Sequence, residues 1–188
     1  MSEASLDNRP RLDQLLVDRG LFATRSRARD AIQRGTVKVD GKPVTKPGQN
    51  VLRPTELSVD DPASAYVSRG ALKLIAAIDH FNLNVNGLNA LDIGASTGGF
   101  TQVLLERGAN HVVAIDVGHD QLHESLRKDL RVTNKEGVNA RALEFSHLDG
   151  RDIGCVVSDV SFISLKLALP PALAFAQKDA ICALLVKP

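Results

Sequence analysis

A chain of 188 residues, 44% of them hydrophobic and 24% charged, is long enough for one ordinary core or for a small module joined to a medium one. No uninterrupted apolar stretch approaches the roughly 20 residues of a bilayer span, and the polar opening MSEASLDNRP is not a signal peptide, so a membrane protein is excluded and a cytoplasmic one expected. The net charge of +1 hides a basic first quarter, with about 11 Lys and Arg against about four acids between Arg9 and Arg53.

Residues 1–8 are expected to be a flexible N-terminus. Leu12, Leu15 and Leu16 then mark one face of a helix closed by Gly20, and a second helix begins near Thr24 and stops at Gly35. Ala28, Ala31 and Ile32 can face inward, which directs Arg25, Arg27 and Arg29 to solvent. In TVKVDGKPV the pair Asp40-Gly41 supplies the positive φ angles of a tight hairpin. A merely solvated surface would mix acids and bases, whereas Arg25, Arg27, Arg29, Arg34, Lys38 and Lys42, with Arg11, make a surface suited to phosphates. These elements form a small α+β domain over residues 9–53. The stretch RPTELSVDDPASA has two prolines and no sustained period, which predicts a linker over residues 54–65.

The second domain, residues 66–188, opens with a helix from about Arg69 to Asp79 that Ser68 can cap. Leu74, Ile75, Ile78 and Phe81 share one side of it, and Lys73 points away. Strands then alternate with helices: strand Asn89 to Ile93, helix Phe100 to Arg107, strand His111 to Val117, helix Gln121 to Lys128, strand Cys155 to Asp159, a helix, and strand Ile181 to Val186. The less regular stretch from Asp129 to Asp149 can supply one more strand. This alternation predicts a doubly wound, Rossmann-like α/β sheet whose loops after Ile93, Asp116, Asp159 and Lys187 converge on a ligand. Cys155 and Cys182 sit in apolar runs without ligand spacing and are expected to be buried, reduced thiols.

The loop LDIGASTGGFTQVLL carries its glycines at positions 94, 98 and 99, which is not the dinucleotide spacing, and no Gly-Lys-Ser or Gly-Lys-Thr follows. It contains no basic residue. Asp92 precedes the bend, and Asp116 ends the next strand, where a carboxylate can accept from both ribose hydroxyls of an adenosine. Acids beside the loop suit an ammonium or sulfonium better than a phosphate, and S-adenosylmethionine has that charge distribution. The expected donor site is Asp92, Gly94, Ala95, Ser96, Thr97, Gly98, Gly99, Phe100 and Asp116. A tight turn by itself accounts for one glycine but poorly for three.

Residues RLDQLLVDRGLFATRSRARDAIQRGTVKVDGKPVTKPGQNV resemble the S4 RNA-binding domain, which implies recognition of folded RNA by shape and backbone. The segments YVSRGALKL, ALDIGASTGGFTQVLLERGA, VVAIDVGHDQL, RVTNKEGVNAR, SDVSFISL and LLVKP resemble the TlyA family, in which an S4 domain precedes an FtsJ-like methyltransferase domain. The resemblance implies 2′-O-ribose methylation of cytidines in 16S and 23S ribosomal RNA, with Lys73, Asp159 and Lys187 matching three of a Lys-Asp-Lys-Glu catalytic set. No position matches the glutamate. The resemblance places it beyond Pro188, so a truncated sheet and weak or absent turnover are expected of these residues alone. The expected partners are ribosomal RNA and ribosomal subunits, with neither membrane nor metal. His119 and His123 have a zinc-like spacing, but Asp120 replaces the glutamate of a zinc protease. Arg131, Asn134, Lys135 and Asn139 either shape the site or form a polar loop. The alternatives are a non-catalytic RNA-binding or assembly protein, and a membrane-active haemolysin, a role also attached to TlyA relatives and disfavoured by the lack of a span.

Overall fold

The computed structural model describes residues 9–52, 55–161 and 164–187, and the flexible start expected at 1–8 lies outside them. The chain divides into two compact units, Met1–Pro62 and Ala63–Pro188.

In the first unit α1 (Leu12–Asp18) and α2 (Arg25–Gln33) bury Leu12, Leu15, Leu16, Ala28, Ala31 and Ile32 in one core. Helix α2 starts where the Thr24 hydroxyl accepts from the N–H of Arg27, an N-cap that satisfies one orphan donor of the first turn. Strands β1 (Val37–Val39) and β2 (Lys42–Val44) form the expected hairpin, with positive φ at Asp40 and Gly41. A third strand, β3 (Leu57–Val59), pairs with the other edge of β1, within the segment expected as a linker. Three residues flanked by prolines and acids carry too little period to announce a strand; the open edge of β1 makes it one. The first unit therefore runs on to Pro62.

The second unit holds a sheet of five parallel strands: β4 (Asn89–Ile93), β5 (His111–Asp116), β6 (Val132–Glu136), β7 (Ile153–Ser158) and β8 (Ala176–Leu184), in the order β6-β5-β4-β7-β8. On one face Ala90, Val112, Ala114 and Val157 pack against Leu74 and Ile78 of α3 (Ala71–Phe81) and Val103 and Leu104 of α4 (Gly99–Glu106). On the other, Leu91, Ile93, Val113 and Val156 meet Leu148 and Ala172, the latter on α6 (Leu165–Ala174). Burial on both faces explains why β4, β5 and β7 are almost continuously apolar.

Several local expectations are corrected. The helix from Gln121 to Lys128 is only α5 (Glu124–Arg127), because the N–H groups of Asp120, Gln121 and Leu122 donate instead to the Glu136 carboxylate. Ser68 does not cap α3, whose N-cap position is Gly70 without a side-chain bond. Phe81 is 67% exposed, outside the core formed by Leu74 and Ile78. The last strand begins at Ala176, and Cys182 on it is exposed, while Cys155 on β7 is buried. The irregular stretch does contain a strand, β6, followed by two short 3₁₀ turns.

Candidate active site

Strand order reverses at β4, with β5 on one side and β7 on the other, so the loops after β4 and β7 meet at the crevice where such sheets bind ligands. A cleft of about 970 Å³ opens there.

Three glycines shape the loop beneath it, and each answers to a protein neighbour. Gly94 has φ +77, and a Cβ on it would stand 2.8 Å from Val160 of the β7 loop. Gly98 has φ +95 and abuts Leu122 and Leu126, while Gly99 lies against Ser68 and the N–H of Ala71. The loop's glycine content thus follows from close packing as well as from the bend, a cause that residue spacing alone does not display. Gly94, Ala95, Ser96, Thr97, Gly99 and Phe100 border the cleft, whereas Gly98 turns toward the leucines.

The two expected acids differ. Asp116 borders the cleft and ties two loops, its Oδ2 accepting from the N–H of Ser96 and its Oδ1 from that of Gly118, both at 2.8 Å. Lone pairs remain on both oxygens for a diol. Asp92 does not border the cleft. It is buried beneath the loop, where Oδ2 accepts from the Thr101 hydroxyl at 2.7 Å and Oδ1 has no partner. Burial pushes its carboxyl up to about 7, against the opposing hydrogen bonds from Thr101 and helped by the charges of Asp116 and Asp159.

Asp159, just past β7, brings the two expected lysines together. Lys73 Nζ from α3 donates to Oδ2 at 2.8 Å, and Lys187 Nζ, just past β8, lies 2.7 Å from Oδ1. Burial would raise this carboxyl, but the hydrogen bonds and charges of Lys187 and Lys73 outweigh it and hold it below the usual range. Lys187 also donates to Ser161 Oγ at 2.8 Å and to the Asp159 carbonyl at 3.3 Å. Ser161, Gln121, Val138 and Ser68, the last expected only as a helix cap, border the cleft without having been expected there; Ser161 could have been found only from its place two residues past Asp159. Asn139 borders the cleft, whereas Arg131 pairs with Asp129 and Lys135 with Asp149. Among the described residues no group of three His, Cys, Asp or Glu could hold a metal ion; His123 caps α5 instead.

In the first unit the expected RNA-facing residues divide. Arg29, Lys38 and Lys42 are exposed, and Arg27 is half-buried. Arg11 and Arg25 both bond the buried Asp13, and Arg34 pairs with the buried Asp61 at 2.6 Å. Arg25 is exposed as expected, but its Nε is anchored on Asp13, which Arg11 also engages.

A parallel sheet in this order, with a glycine-rich first loop and an acid ending the second strand, defines the Rossmann-like methyltransferases as a class. The FtsJ-like methyltransferase family matches residues 66–188, and the S4 domain matches residues 10–56. The chain belongs to the TlyA-type family of rRNA 2′-O-methyltransferases, an S4 domain joined to an FtsJ-like domain. It is 50% identical over 96% of its length to the 16S/23S rRNA (cytidine-2′-O)-methyltransferase TlyA of Mycobacterium tuberculosis, of which it covers 67%. It is 41% identical over 85% of its length to Hemolysin A of Brachyspira hyodysenteriae, covering 66% of that protein. A solved structure described as a candidate hemolysin from Streptococcus thermophilus shares 40% identity at a TM-score of 0.69, over 97% of this chain and 67% of the other. The chain spans about two thirds of the length of these relatives.

Proposed function

We propose that this chain transfers a methyl group from S-adenosylmethionine to the 2′-hydroxyl of cytidines in 16S and 23S ribosomal RNA in the cytoplasm, its S4 unit holding the RNA. The observation that carries the reading is Asp159 clasped between Lys73 and Lys187 at a cleft floored by the glycine loop. The residues fit the donor: Asp116 offers lone pairs for a ribose diol, and no basic residue stands in the glycine loop to suit a phosphate.

When bound, S-adenosylmethionine supplies a methyl group on a sulfonium, which leaves as a neutral thioether. The ribose oxygen forms the new bond to the methyl carbon with its own electron pair as the carbon–sulfur bond breaks, and its hydroxyl proton passes to solvent water. Lys73 and Lys187 stabilise the oxygen as negative charge develops on it, and Asp159 fixes both ammonium groups in place beforehand, so that no reorganisation is needed during reaction. Ser161 holds Lys187 from a second direction.

The test is primer-extension mapping of ribose methylation in a strain lacking the gene, restored with wild type or with Lys73→Ala or Lys187→Ala. Wild type restores the modification and both variants leave it absent, a loss of at least about 100-fold. Full modification by either variant removes the catalytic reading and leaves an RNA-binding protein.

A further inference from the structure

The loop that follows β5 is held by an acid that the methyl-transfer chemistry leaves unused. Glu136 ends β6 and stands opposite Asp116, its partner at the end of β5. Its carboxylate gathers three consecutive backbone donors. Oε2 accepts from the N–H of Asp120 at 2.7 Å, and Oε1 accepts from those of Gln121 at 3.1 Å and Leu122 at 3.3 Å. These bonds, that from Asp120 foremost, keep its carboxyl below the usual range, so it accepts as a carboxylate. Asp120 itself stands at φ +54, a left-handed conformation that a residue other than glycine holds at a cost.

The pinned loop reaches the donor cleft at three points. Gly118 donates its N–H to Asp116 Oδ1 at 2.8 Å, fixing the acid proposed to take the ribose diol, and its carbonyl accepts from the N–H of Gly137, the residue after Glu136, at 3.2 Å. The Gln121 side chain borders the cleft and lies across the backbone of Gly118, where an added Cβ would collide with its Nε2. Leu122 abuts Gly98, and the next residue, His123, donates its N–H to the Thr97 carbonyl at 3.2 Å. One acid therefore ties the loop after β5 to the glycine loop after β4, and both loops border the proposed donor site.

We infer that Glu136 is a positioning residue for S-adenosylmethionine: by holding residues 120–122 it sets Asp116, Gln121 and the glycine loop in place for the nucleoside part of the donor. The inference rests on the donor-binding reading of the cleft and adds to it a residue that does not itself border the cleft. Both carboxylate oxygens are needed. An amide of the same shape has one acceptor oxygen, and its NH₂ group, turned to either side, would meet at least one of the three N–H groups donor to donor.

The experiment measures the affinity of the full chain for S-adenosylmethionine and for its demethylated product, S-adenosylhomocysteine, by titration calorimetry. Glu136→Gln is expected to weaken both about tenfold and by the same factor, because the two share the nucleoside, while affinity for a ribosomal RNA transcript stays at the wild-type value. A purely structural anchor would lower the urea midpoint and leave both affinities unchanged. That result, in a variant whose circular dichroism matches wild type, overturns the inference. So does a loss confined to one of the two molecules, or one shared equally by the RNA. A second measurement needs no variant: in wild type, bound S-adenosylmethionine should slow amide hydrogen exchange over residues 117–123 at least about fivefold. Exchange there unaffected by the bound donor overturns the inference even where Glu136→Gln fails to fold. Wild-type protein that takes up neither molecule removes the donor-binding reading and this inference together, whereas wild-type binding with an unaffected variant removes the inference and leaves that reading standing.

Discussion

Each unit of this chain gathers two cations on one carboxylate, and the pairs differ in kind. In the N-terminal unit Asp13 is fully buried and holds two arginines; in the C-terminal unit Asp159 is partly exposed at a cleft and holds two lysines. Guanidinium is a planar, permanently charged fork, fitted to hold a phosphate and poorly fitted to manage a proton. Ammonium is a compact point charge on a flexible stem, able to approach a single reacting oxygen. On the proposed methyl-transfer reading the lysine pair would serve chemistry, whereas the arginine pair is held at the surface of the first unit. A third acid, Asp92, has a hydroxyl for company and no cation, and its carboxyl moves in the opposite direction from Asp13 and Asp159.

The sharpest way to break this contrast is to exchange the cations. Lys187→Arg keeps the charge beside Asp159 but replaces the point charge with a fork that the contacts to Ser161 and the Asp159 carbonyl do not fit. Methylation should fall by at least about 100-fold in the primer-extension assay. Near-normal methylation would mean that charge alone is required at that position, and the two pairs would then be equivalent.

A smaller effect distinguishes Asp92 from the paired acids. Its folded-state value of about 7 lies above the ordinary 3.8, so between those pH values the folded protein binds more protons than the unfolded chain. This acid therefore lowers stability as pH rises from about 4 to 7, by a few kcal/mol in total. Asp13 behaves in the reverse sense: its carboxyl is held low, chiefly by the hydrogen bond from Arg11, so its contribution is present above the unfolded value and is lost as pH falls through the folded one. Urea titrations at a series of pH values should show Asp92→Asn removing the decline between pH 4 and 7. A variant with the same pH profile as wild type would show that burial leaves this carboxyl unshifted.

The smallest effects compare glycines of the two units. Gly98 and Gly41 both have positive φ, but a Cβ at Gly98 meets Leu122 and Leu126, whereas at Gly41 it meets nothing within 4 Å. Gly98→Ala should cost roughly 2–4 kcal/mol of unfolding free energy and Gly41→Ala about 1 kcal/mol, measured by urea denaturation. Equal costs would reduce both positions to backbone strain alone.

Local chemistry made much of this protein legible from its residues. The apolar runs of β4, β5 and β7, the Asp40-Gly41 turn and the faces of α1 and α2 follow from period and φ preference within a few residues, and the alternation of strand and helix implies the sheet. The segments around Lys73, Asp159 and Lys187 could be matched one by one. What sequence could not supply is whatever joins distant residues. Lys73 meets Asp159 across 86 positions, β3 exists because β1 has an open edge, and residues 120–122 leave the helix because Glu136 accepts their N–H groups from the end of a neighbouring strand. The anchoring of the exposed Arg25 on Asp13 and the burial of Asp92 belong with these, since each depends on which group lies beside it. Periodicity and turn preference act over a few bonds of the chain; burial, ion pairing and edge pairing act through space, and only the folded arrangement fixes which groups share that space.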